Sequence, residues 1–133
     1  MKLAALIDID LQTGAVAATI RDGLLAVGFD VPWVRDRTVL LKPNLVEPTR
    51  EAPHLTTHPA VVVAAAEVFR GWGARVLVGE APGHMRDTEM ALVESGLDDA
   101  LRGERMEFID LNYSESMRVP NAGRASQLKE FHF

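Results

Sequence analysis

The sequence predicts an α/β domain with a parallel-sheet βαβ core and helices on both faces. Three observations carry that prediction. Compact apolar runs recur along the chain at Thr38–Lys42, Arg75–Gly79 and Met106–Leu111. Segments with helical spacing of apolar residues separate them. Each run is followed by polar residues, proline or glycine. Strands joined through helices imply right-handed crossovers and parallel pairing.

Taken in order, residues 1–9 hold a short apolar run, expected as an edge strand. Val16, Ile20, Leu24 and Val27 then form one helical stripe, with Gly28 as the stop signal. Pro32 and Trp33 fall in a connecting loop. Thr38–Lys42 shows no alternation, so it reads as a central strand covered on both faces. Pro43 ends it, because proline has no N–H for the ladder. Residues 43–57 form a long loop carrying Pro48 and Pro53, and loops of that length in a small domain are more often functional than not.

His58–Arg70 reads as the second helix, with Pro59 in its first turn and Thr56 or Thr57 as the cap. Its apolar residues run almost all the way round, which marks a well-buried helix. Gly71 and Gly73 close it. Arg75–Gly79 is the second central strand, and residues 80–86 a Pro-Gly loop. Asp87–Ser95 is a third helix, opened by Asp87 or Thr88 and closed by Gly96. Leu97–Arg102 makes a further short helix and Met106–Leu111 the third strand. Residues 112–133 are polar and without a clear period.

A chain of 133 residues fits one domain spanning 1–133. With 47% hydrophobic and 25% charged residues, the composition is that of an ordinary globular protein. There is no cysteine, which excludes disulfides, an iron–sulfur cluster or a thiolate zinc site held by this chain alone. The cofactor is otherwise left unassigned. Net charge is −5, and residues 51–133 hold all of the excess acid. No Lys/Arg cluster tracks a phosphate backbone, so no nucleic acid partner is expected. No apolar stretch reaches membrane-spanning length, so no membrane partner is expected either. Asp8 and Asp10 interrupt the apolar run Leu3–Ile7, against a signal peptide. The expected location is the cytoplasm and the expected partner a small-molecule ligand.

In an open parallel sheet, ligands gather outside the carboxyl ends of the strands. Lys42-Pro43-Asn44, Glu80-Ala81-Pro82-Gly83-His84 and Asp110-Leu111-Asn112 all land there. Lys42, His58, Glu80 and His84 are the candidate catalytic residues. Lys42 offers an ammonium to an anion, or pairs with an acid such as Glu47 or, across adjacent strand ends, Glu80. His58, at a helix start, serves as base, donor or metal ligand, or simply contributes to capping. Glu80 orients a partner or takes part in proton transfer. Asn44, Thr57, Gly83 and Thr88 are the candidate binding residues. Asn44 positions a ligand or makes an Asx turn, Gly83 permits close backbone approach, and amides near the start of the 87–95 helix are placed to meet an anion. His58, Glu80 and His84 form a conceivable nitrogen and oxygen ligand set, but their spacing matches no metal motif and no metal site is assigned.

The ordered segments Val39-Leu40-Leu41-Lys42-Pro43-Asn44-Leu45-Val46, Thr56-Thr57-His58-Pro59, Gly79-Glu80-Ala81-Pro82-Gly83-His84, Arg86-Asp87-Thr88-Glu89, Glu94-Ser95-Gly96-Leu97 and Phe108-Ile109-Asp110-Leu111-Asn112 resemble the domain-of-unknown-function family 362 over residues 13–112. Some members carry ferredoxin-type cysteine motifs, which this chain lacks. The family typically continues with a Pro-Lys-x-Lys-Thr-His-like segment and an Asn-x-x-Gly-like stretch. Neither occurs here, so the chain is expected to correspond to the N-terminal part of a longer member. That reading carries an expectation of self-association through uncovered apolar surface. More distantly, the Thr49-Arg50 loop and the stretch Gly83-His84-x-Arg86-x-x-Thr88-Glu89 are similar to the N-terminal domain of nickel-pincer lactate racemases.

Overall fold

The computed structural model describes residues 15–46, 55–82, 87–113, 117–120 and 130–132. The apolar run predicted as a strand in residues 1–9 lies outside them. The elements are α1 (Val16–Ala26), β1 (Thr38–Leu41), α2 (Pro59–Gly71), β2 (Arg75–Glu80), α3 (Thr88–Ser95), α4 (Leu97–Gly103), β3 (Phe108–Asp110), β4 (Arg118–Pro120) and β5 (Glu130–His132). The order αβαβααβ is the predicted one.

β1, β2 and β3 form a parallel sheet in that spatial order. Leu41 lies opposite Val78, and Glu80 opposite Asp110. Strands that follow one another across a sheet in chain order, with crossovers of one hand, bring both connecting segments to the same face. The core agrees. Val62 and Ala66 of α2 and Leu97 and Leu101 of α4 pack into one cluster with Val76 and Val78 of β2. α2 and α4 therefore lie against one face of the sheet, and α1 packs on α2. Leu40, on the opposite face, is 45% exposed.

β1 is not central among the described strands. It alternates exposed and half-buried positions, and β2 holds the middle. The unbroken apolar run in β1 misled because Leu40 faces away from the helices although it is apolar. In β2, Gly79 is dictated by packing. A Cβ there would lie 2.9 Å from the Ile109 carbonyl and 3.2 Å from Leu40 Cδ1.

α2 is apolar nearly all round because α1 packs on one side of it and the sheet and α4 on the other. α1 and α2 end by the same device. Gly28 and Gly73 take positive φ, and the following amides of Phe29 and Ala74 return to Leu24 and Phe69 carbonyls, each at 3.0 Å. This brings Phe29 against the end of α2, where its ring stacks on Trp72 at 5.5 Å. α4 closes in the same way with Arg105 in the left-handed position, φ 51°.

Pro32 and Trp33 lie in a 3-10 turn, Val31–Val34, rather than an irregular loop. In the tail, β4 and β5 pair antiparallel. Three-residue strands are too short to leave a readable period. No described helix is long and apolar enough to cross a membrane.

Candidate functional site

The site is built where β1 and β2 end. Lys42 follows β1 directly, and Glu80 is the last residue of β2. The Lys42 ammonium donates to both carboxylate oxygens of Glu80, at 2.7 Å and 2.5 Å. The Ala81 amide adds a third bond to Oε1 at 2.9 Å. Burial is unequal across this pair. The Glu80 side chain is 8% exposed and the Lys42 side chain 60%. The cause is position. Glu80 ends the central strand, flanked by β1 and β3, whereas Lys42 leaves the end strand. Glu80 is the one buried charged residue among those described. Of the two pairings the sequence allowed Lys42, the structure has the one with Glu80; Glu47 lies outside the described residues.

The long loop after β1 is closed at its base. The Asn44 amide donates to Thr57 Oγ1 at 2.9 Å, the Thr57 amide returns to the Asn44 carbonyl at 2.8 Å, and Asn44 Nδ2 donates to the Leu55 carbonyl at 2.8 Å. Leu45 and Thr56 form an antiparallel bridge between them. Asn44 thus spans the loop rather than making a local Asx turn. These bonds tie the exit of β1 to the start of α2.

His58 itself caps α2. Its Nδ1 accepts from the Ala60 amide at 3.2 Å, with Pro59 in the first turn. The expected threonine cap is not made by Thr57, whose hydroxyl is taken up by Asn44 across the loop. At α3 the cap is Asp87, whose Oδ1 accepts from the Met90 amide at 3.1 Å. Thr88 is the first helical residue behind it. An aspartate at that position occupies the amide that an anion would otherwise take. Gly83 and His84 lie outside the described residues.

The third strand completes the edge. Asp110 stands opposite Glu80, and its Oδ1 accepts from the Asn112 amide at 2.9 Å. Asn112 Nδ2 then donates to the Pro82 carbonyl at 3.0 Å, tying the exit of β3 to the segment that follows Glu80. Among the described residues, no three His, Cys, Asp or Glu side chains gather to hold a metal ion.

The structure therefore brings Lys42 and Glu80 into contact and joins Asn44 and Thr57 at the base of the neighbouring loop. It sets Thr88 apart, on α3. Sequence reasoning placed Asp110 and Asn112 at the edge without assigning them as site residues. Their signal was two polar residues flanking Leu111 at the end of β3.

Fold and edge define the class: an α/β domain whose polar residues meet at the carboxyl ends of parallel strands. The family model described as "Domain of unknown function (DUF362)" matches residues 39–133, and the chain belongs to that family. The match starts within β1 and takes in every residue of the edge. No curated protein and no solved structure matches the chain. The likeness to lactate racemases rests on the short sequence stretches alone.

Proposed function

We propose that the carboxyl edge of the sheet binds a small anionic ligand as part of an enzyme site. The observation that supports this is the Lys42–Glu80 pair, with its buried carboxylate and largely exposed ammonium. An ammonium has three N–H donors, and two contacts go to Glu80. The remaining donor is on the accessible partner. Glu80 acts as the orienter that fixes the lysine at the edge, and Lys42 as the electrostatic contact to the ligand. Asn44 and Thr57 shape the wall, His58 supplies a hydrogen-bonding group, and His84 a proton-transfer or hydrogen-bonding one.

A second reading is a non-catalytic binding or assembly module. It is favoured by Asn44 and Asn112, whose amide groups both bond to loop carbonyls. Calorimetric titration of the chain with inorganic phosphate and with acetate separates the two. The enzyme-site reading expects saturable binding that Lys42→Met abolishes. Binding that is absent, or that is unchanged in Lys42→Met while the melting temperature falls, leaves the pair as a structural element only.

A further inference from the structure

The geometry points to His58 as a neutral hydrogen-bond donor to the ligand's oxyanion, not a base or a metal ligand. This inference rests on the anionic-ligand reading above and names the chemistry of its second contact.

His58 Nδ1 accepts a hydrogen bond from the Ala60 amide. An amide N–H has only a proton to give, so Nδ1 must present its lone pair. In a neutral imidazole the proton then sits on Nε2. The cap therefore selects the tautomer. Nε2 makes no bond to another described residue, and the residue is exposed. An Nε2–H has a donor to offer and no lone pair. It can neither take a proton from a substrate nor ligate a metal through that nitrogen while the cap is in place.

Position gives this donor its use. Thr57, the residue before His58, is bonded in both directions to Asn44, two residues beyond Lys42. A charged donor at Lys42 and a neutral donor at His58 thus lie on two segments laced together at their bases. Two donors match an acceptor-only group, a carboxylate or a phosphate. The tautomer also separates His58 from an ordinary cap, because serine caps a helix as well and carries no Nε2–H.

The test is a comparison of the parent with Lys42→Met, His58→Ser and His58→Asn, using inorganic phosphate and acetate as separate probes. Long-range proton–nitrogen NMR of the parent reads the tautomer directly. The expected result is an Nε2–H tautomer and melting temperatures of the His58 variants within about 2 °C of the parent, since both substituents are good caps. Affinity for the preferred oxyanion should fall about tenfold in both, the value of one hydrogen bond to a charged group. The better of the two probes identifies the oxyanion as phosphate or carboxylate. An Nδ1–H tautomer overturns the inference, as does full affinity in His58→Ser. Binding lost in Lys42→Met and kept in the His58 variants overturns only the role of His58. No saturable binding by the parent removes the anionic-ligand reading and this inference with it.

Discussion

Replacing Lys42 by methionine tests how the site's ion pair is held. Methionine keeps an unbranched side chain of similar reach and removes the ammonium. Glu80 is then a carboxylate at 6% exposure with the Ala81 amide as its remaining hydrogen bond among the described residues. An exposed pair contributes about 0–1 kcal/mol, whereas removing one partner of a buried pair costs about 3–5 kcal/mol. Lys42 is 60% exposed, so water reaches the place it vacates and the cost falls between those limits. A value of about 2 kcal/mol follows, or a drop of about 6–10 °C in melting temperature for a domain of this size.

The converse change, Glu80→Gln, behaves differently. Glutamine retains an acceptor for the Ala81 amide and carries no charge to desolvate. The ammonium it releases is already largely in water. Its cost is about 1 kcal/mol or less. The double variant should then be more stable than Lys42→Met alone, because no carboxylate is left stranded. Urea denaturation of all four proteins at one fixed pH measures this cycle. If Glu80→Gln costs as much as Lys42→Met, or if the double variant is the least stable, the argument from unequal burial is wrong.

Gly79→Ala should destabilise by about 1–3 kcal/mol, since its Cβ meets backbone oxygen of Ile109 and Leu40 in the sheet; denaturant unfolding checks it, and an unchanged midpoint would count against the close approach. Arg105→Gly should stabilise by about 1 kcal/mol by relieving a left-handed backbone at an exposed position, read as a higher urea midpoint with an unchanged slope. Thr57→Val removes the acceptor of the Asn44 amide and should cost about 1 kcal/mol. Its further expected effect is faster hydrogen exchange at the Asn44 amide, and unchanged exchange there would show that the loop base does not depend on the hydroxyl.

Much of the fold was legible because its signals are local. Gly28, Gly73 and Gly96 sit where helices end, and each takes positive φ. Asp87 stands before α3 and caps it. The all-round apolar character of α2 announced a helix covered on two sides, as it is by α1 and the sheet. The misreadings came from non-local causes. Thr38–Lys42 has the composition of a central strand, but strand order is set by which strands pair, and among the described strands β2 takes the centre. Thr57 has the right chemistry to cap α2, yet it bonds to Asn44 across the loop, and His58 caps in its place.

The site divides in the same way. Strand ends can be read from sequence, because a polar residue directly after an apolar run is a local feature. Lys42, Glu80 and Asp110 were found on that basis. What each does at the edge depends on distances between residues 30 to 68 positions apart, which no periodicity encodes. The sequence by itself determined the α/β class, the order of helices and strands, and the family. Only the tertiary structure decided that Glu80 is buried and Lys42 exposed, that Asn44 closes the loop onto Thr57, and that His58 caps α2 through Nδ1. Burial and hydrogen-bond partners are properties of neighbours brought together by folding, so they appear only once strands β1, β2 and β3 lie side by side.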